Sequence, residues 1–201
     1  MPLELTLDAL RKYGQDELDY GVVRGLRFPY LSRLTRSSHF RKSQPGSTFR
    51  VEFDEMPKTL LLETLMGFAS LGRDERLSHS RHVFAYFREM HEGISPEEAA
   101  EEAAAFVAPI KKPRDVWRNV WVHSLRVSER EGTAWMLVSF GCAWEQEHGM
   151  SMSFEGGHVI TRVGGIDGHA CNTVSSGSGR SRVYKRSPLV HAGRRYPTRL
   201  D

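Results

Sequence analysis

The sequence predicts an α+β fold in which N-terminal helices pack on a C-terminal antiparallel meander of four strands or more. Three observations carry that prediction. Apolar residues recur at helical spacing over about residues 57–108, they alternate with polar residues over about 119–165, and the first pattern gives way to the second instead of interleaving with it.

The first third of the chain is the least regular. Leu7 and Leu10 give a partial apolar stripe over Leu5 to Tyr13, a short helix stopped at Gly14. Between Val22 and Lys42, Arg24, Arg27, Arg33, Arg36, Arg41 and Lys42 interleave with Phe28, Tyr30 and Phe40, a composition suited to phosphates and stacked bases. The competing reading is an ordinary surface, because Asp16, Glu17 and Asp19 upstream and Glu52, Asp54 and Glu55 downstream can pair with those cations. Phe49, Val51 and Phe53 alternate with Arg50 and Glu52, the period of a half-buried strand.

Pro57 to Leu71 reads as a core helix: Pro57 suits a first turn, Leu61, Leu65, Phe68 and Ala69 share a face, and Gly72 stops it. A second helix spans about Ser80 to Glu92 with Val83, Phe84, Phe87 and Met90 on one side. Ser95 and Glu98 make a capping box with Pro96 at the first helical position, which starts a third helix through Ala99 to Val107. Pro109 and Pro113 end it.

After Asp115 the period becomes two. Trp121, His123, Leu125 and Val127 share one face of a strand, Glu131-Gly132 turns the chain, and Met136, Val138, Phe140, Cys142 and Trp144 line the next strand. Met150, Met152 and Phe154 form a third, and Gly156-Gly157 is a tight turn into a fourth, His158 to Val163.

Size and composition are those of an ordinary globular protein: 201 residues, 39% hydrophobic and 26% charged, and we read residues 1–172 as one domain. From Thr173 the periodicity stops. Arg180, Arg182, Lys185, Arg186, Arg194, Arg195 and Arg199 stand there against Asp201 alone, so residues 173–201 read as a basic flexible tail and the remainder as mildly acidic. Glu63 interrupts the longest apolar run, Leu60 to Leu71, which argues against a membrane partner. Glu4 and Asp8 are unlike a secretory start, so a cytoplasmic location is expected. Cys142 and Cys171 form no Cys-x-x-Cys pair and read as free thiols.

The meander brings two loops to one end of the sheet, residues 145–149 and 165–169. Glu145, Glu147 and His148 should then lie near Asp167 and His169. Trp144, Glu145, Glu147, His148, Asp167 and His169 form the expected binding surface. Glu147, His148, Asp167 and His169 are also a ligand set that a divalent metal accepts, the one cofactor this pattern would take, and a His-carboxylate pair can act as general acid and base. The bland alternative is that these side chains tie loops through backbone hydrogen bonds.

The stretch Cys142-Ala143-Trp144-Glu145-Gln146-Glu147-His148-Gly149, followed by Gly165-Ile166-Asp167-Gly168-His169, resembles an uncharacterised bacterial family of unknown function over about residues 113–172. The resemblance implies a small accessory or immunity-type protein and carries no assigned chemistry. The leading expectation is therefore a protein-binding module with a protein partner. The alternatives are a metal-dependent hydrolase using the loop cluster, and a nucleic-acid binder through Arg27, Arg33, Arg36, Arg41 and Lys42 or through the tail. The pattern leaves oligomeric state open. No Gly-x-Ser-x-Gly elbow or phosphate-loop signature is present.

Overall fold

One mixed, mostly antiparallel sheet organises the molecule. The computed structural model describes residues 3–36, 41–42, 48–92, 94–104, 106–166, 189–191 and 194–196. In chain order its elements are β1 (Leu3–Thr6), α1 (Leu7–Lys12), β2 (Glu17–Leu18), β3 (Gly21–Leu26), β4 (Thr35–Arg36), β5 (Arg41–Lys42), β6 (Phe49–Phe53) and β7 (Met56–Pro57). Next come α2 (Lys58–Ala69), α3 (Arg73–Met90) and α4 (Pro96–Ala104), then β8 (Val120–Arg130), β9 (Thr133–Cys142), β10 (Glu145–Glu155), β11 (Val159–Gly164), β12 (Leu189–His191) and β13 (Arg194–Tyr196). Short 3-10 turns occupy Pro29–Leu31 and Pro113–Arg118.

Among the described residues the main sheet runs β1-β3-β6-β8-β9-β10-β11, with β4 set against the start of β8 and β5 against β4. The β8–β11 meander is antiparallel throughout, as its turn chemistry requires. Glu131 and Gly132 both take positive φ, the backbone that a two-residue hairpin needs, and Gly156 and Gly157 do so in the three-residue turn between Glu155 and Val159.

The expectation of N-terminal helices on a C-terminal meander needs correcting. The meander continues through a parallel pairing of β8 with β6 (Glu52 opposite Arg126, Phe53 opposite Val127) into β3 and β1, so N-terminal strands complete the sheet. The helices α2 to α4 are a mid-chain crossover joining those parallel strands, the long connection that parallel pairing demands. The predicted basic tail lies outside the described residues apart from the β12–β13 pair.

In β8 simple alternation is interrupted. Val122 pairs with Phe140 but Ser124 pairs with Ser139, leaving His123 as an extra residue in β8. Ahead of this bulge Val120 and Val122 are buried, and after it Leu125 and Val127 are. Trp121 and His123 therefore do not share the inner face with Leu125 and Val127, as uninterrupted alternation had suggested.

In β9 the alternation holds, with Ala134, Met136, Val138, Phe140 and Cys142 all buried. Against this face α2 sets Leu61, Leu65 and Phe68, and edge-on ring packing of Phe68 with Phe154 (centroids 5.1 Å apart) and with Phe28 (4.9 Å) joins helix, sheet and N-terminal segment in one core. The β10–β11 turn abuts α2 so closely that a Cβ on Gly157 would stand 1.9 Å from the Thr64 carbonyl oxygen.

α3 begins a full two turns before the expected Ser80. Gly72 caps it, and the Glu75 carboxylate reaches back to the Gly72 N–H at 2.7 Å. The capping box of α4 forms as its spacing predicts, with Ser95 N–H donating to Glu98 at 2.8 Å and Glu98 N–H to Ser95 Oγ at 3.2 Å.

Candidate functional site

β9 ends on buried Cys142, Ala143 and Trp144 make the turn, and β10 starts at Glu145. The turn therefore precedes the glycine-bearing segment where sequence placed the loop. The loop appears instead as an excursion within the hairpin: Glu145 sits opposite Cys142 and Met150 opposite Phe140, so Gln146, Glu147, His148 and Gly149 correspond to Gly141 alone. A bulge of this width removes four residues from the ladder and aims Gln146, Glu147 and His148 outward, while Gly149 stays buried.

Each end of the excursion is held. Trp144, expected on the surface, is only 3% exposed and packs edge-on against Phe87 of α3, with centroids 5.5 Å apart, so it anchors the surface from below. The Ala143 N–H donates to the carbonyl of Asn119 at 2.9 Å. Asn119 is itself buried, accepting from Val107 N–H and donating to the Ala108 carbonyl, each at 2.8 Å. At the far end Gly149 has φ +66°, and the Tyr86 hydroxyl of α3 donates to its carbonyl at 3.2 Å. A Cβ at Gly149 would come within 2.5 Å of the Phe140 carbonyl oxygen, so glycine is required there by both backbone and space.

Within the excursion, Glu145 acts inward. Its Oε1 accepts the His148 N–H at 3.1 Å and lies 3.2 Å from His148 Nδ1. The Glu145 side chain is 15% exposed and that of His148 72%, while Gln146 and Glu147 are fully on the surface side. Of the expected binding residues, Glu147 and His148 are displayed, Glu145 braces them, and Trp144 anchors them. The neighbouring segment does arrive at this end: Ile166, 44% exposed, comes within 3.4 Å of where a Gly149 Cβ would sit, and Gly165 lies beside the Tyr86 hydroxyl. Asp167 and His169 lie outside the described residues. Among the described residues no group of three His, Cys, Asp or Glu side chains converges as a metal set would.

The reactive-looking groups beneath the loop are quiet. Burial pushes the Cys142 thiol up to about 12, and Glu145 adds to that, so it is a neutral thiol near pH 7, donating weakly to the Glu145 carbonyl at 3.6 Å. Burial also holds the Tyr86 phenol well above its ordinary value, with Cys142 and Glu145 adding to the effect, which keeps it a donor.

Of the nucleic-acid candidates, Arg27 and Arg33 are exposed, whereas Arg36, Arg41 and Lys42 are described only as backbone of β4 and β5. The expected pairings occur with other partners. Arg24 makes a two-point contact with Glu4 (2.8 and 3.2 Å), Arg50 pairs with Glu52 at 3.1 Å, and Arg126 of β8 takes Asp54. These exposed pairs form a ladder of alternating charge across β1, β3, β6 and β8, of the solvent-screened kind that adds little to stability. They border a groove of about 550 Å3 between β3, β6 and the His123 bulge.

Sequence reading missed a polar stripe on the inner side of α3. Arg76, His79, Ser80 and His82 are all buried. Tyr30, fully buried, places its hydroxyl 3.0 Å from His79 Nδ1, and Trp117 donates to Ser80 Oγ at 2.8 Å. Burial, with Arg81 adjacent, pushes His82 down to about 3, so it is neutral at physiological pH. The acidic residues Asp74 and Glu75 following Gly72 are the one available signal that the helix starts there.

No helix among the described residues is long and apolar enough to cross a membrane. No curated protein matches this chain, and no solved structure does. A family model does match, over residues 30–170, which takes in the core helices and the whole meander and extends well upstream of the 113–172 motif region. Since that span is well over half of the chain, the protein belongs to the family described as "Domain of unknown function (DUF6985)".

Proposed function

We propose that this protein is a protein-binding module that presents Gln146, Glu147 and His148 to a partner protein. One observation carries the reading: a four-residue excursion has its tip exposed while both ends are fixed, by Trp144 and Glu145 on one side and by the Tyr86-to-Gly149 hydrogen bond on the other. A loop held in this way loses little conformational freedom on association, and that favours recognition. The tip offers a carboxylate, an amide and an imidazole, with half-exposed Ile166 as an apolar neighbour, a mix typical of an interface rim around a small apolar contact. An accessory role in the sense implied by the motif resemblance fits such a module.

The test is affinity capture with the full chain and with Glu147→Ala/His148→Ala, both first matched for circular dichroism and melting temperature. The reading expects a protein retained by the wild type and lost with the variant. Identical captured sets would refute it.

A further inference from the structure

We propose that Arg33, Arg73 and Arg76 form a binding site for a phosphate group, free or as a monoester, where the Pro29–Leu31 turn meets the first turn of α3. The central observation is the state of Arg76, a guanidinium only 5% exposed. Its Nη1 donates to the carbonyls of Tyr30 at 2.6 Å and Ser32 at 2.7 Å, which ties the 3-10 turn to the helix. Its Nε is buried without an acceptor, and Nη2 makes no hydrogen bond to the described residues. The edge carrying Nε and Nη2 is therefore unused, and that edge is the fork by which arginine takes an oxyanion through two parallel hydrogen bonds.

The charge of Arg76 is also uncompensated. No carboxylate among the described residues stands within ion-pair distance of it, and its guanidinium lies 5.8 Å over the face of Trp117. The nearest acid along the helix, Glu75, turns back to cap Gly72. Buried charges are ordinarily paired, since an isolated one is strongly destabilising. Here the neighbours are cations instead. Arg73 is one helical turn before Arg76, and Arg33 directly follows the Ser32 whose carbonyl Arg76 holds. Burial lowers the proton affinity of Arg76, and the charges of Arg73 and Arg33 lower it further. Arg33 adopts φ +64°, a left-handed backbone unusual for a residue with a side chain and one that recurs where function dictates orientation. Arg73 and Arg33 thus lie one helical turn before Arg76 and beside the carbonyl it holds, at the positive end of an 18-residue helix, where an anion would balance the charges.

The experiment is titration calorimetry of the full chain at low ionic strength with inorganic phosphate and with phenyl phosphate, and acetate at matched ionic strength as control. Wild type is expected to bind one phosphate probe per chain, and Arg33→Gln and Arg73→Gln, both at exposed positions, are each expected to weaken it about tenfold. Arg76→Lys keeps the charge, removes the fork and is expected to weaken it more; if that variant does not fold, the two exposed variants decide. Tighter binding of phenyl phosphate identifies an ester as the ligand, and equal binding identifies free phosphate. Absence of saturable binding of either probe, binding of acetate with equal strength, or binding that neither Arg33→Gln nor Arg73→Gln weakens would overturn the proposal.

Discussion

The Tyr86 hydroxyl donates to the Gly149 carbonyl across 3.2 Å, linking the middle of α3 to the end of the excursion that interrupts β10. Tyr86→Phe removes this donor and leaves a buried carbonyl short of its partner. The expected cost is about 1–2 kcal/mol, a fall of roughly 2–8 °C in melting temperature for a chain of this size. Hydrogen exchange at His148 and Met150 should accelerate in the variant while β8 and β9 stay protected. An unchanged melt and unchanged exchange would remove the hydrogen bond from the account of the loop.

Alkaline titration should expose Cys142. Its folded value is raised from 9.0 to about 12, so the native state holds a proton that the unfolded chain releases first. That contribution is intact below pH 9 and declines between about pH 9 and 12, at up to about 1.4 kcal/mol per pH unit. Cys142→Ala should flatten this limb in urea melts, while costing stability at pH 7 through lost packing. A limb equally steep in the variant would assign it to other groups.

Acid should act through His82 in the opposite sense. Its folded value is lowered from 6.5 to about 3, so below pH 6.5 the unfolded chain takes up a proton that the native state refuses. Stability is then complete above about pH 7 and falls as pH drops, by about 1 kcal/mol between pH 7 and 5.5. Comparison of urea midpoints for wild type and His82→Gln at those two pH values measures it. Equal losses in both proteins would contradict the assignment.

Two glycines separate backbone strain from crowding. Gly132 and Gly157 have φ of +76° and +78°, but a Cβ at Gly132 meets nothing within 4 Å, whereas at Gly157 it meets Thr64 O at 1.9 Å and Phe68 N at 2.7 Å. Gly132→Ala should cost about 1 kcal/mol and Gly157→Ala about 3 kcal/mol or more, because only the latter must push α2 off the sheet. Chemical denaturation of both variants tests the ordering, and equal costs would mean the turn does not bear on α2.

The strands and turns that sequence made legible are those in which local chemistry and burial agree. Met136, Val138, Phe140 and Cys142 alternate because one face of β9 is wholly internal, and Gly156-Gly157 marks the β10–β11 turn because both residues take positive φ. The His123 bulge was invisible: an extra residue changes no composition, only the phase of burial on either side. The start of α3 was hidden because its inward residues are Arg76 and His79, polar groups held by tertiary contacts to the Tyr30 carbonyl and hydroxyl that no periodicity reveals. Parallel pairing of β6 with β8 joins residues more than seventy positions apart and leaves no local trace. At the candidate site, the motif Trp144 to Gly149 pointed to the right segment. The separation of Trp144 and Glu145 as supports from Glu147 and His148 as display needed coordinates, because Ala143-Trp144 carries no turn signal.

The most direct test of the loop as a recognition element is photo-crosslinking in native extract, with benzoylphenylalanine introduced at Gln146 and, as control, at Glu131 in the β8–β9 turn. The account predicts a discrete adduct from position 146 that excess wild-type protein competes away, and none from position 131. No adduct at 146, or the same adducts from both positions, would contradict it.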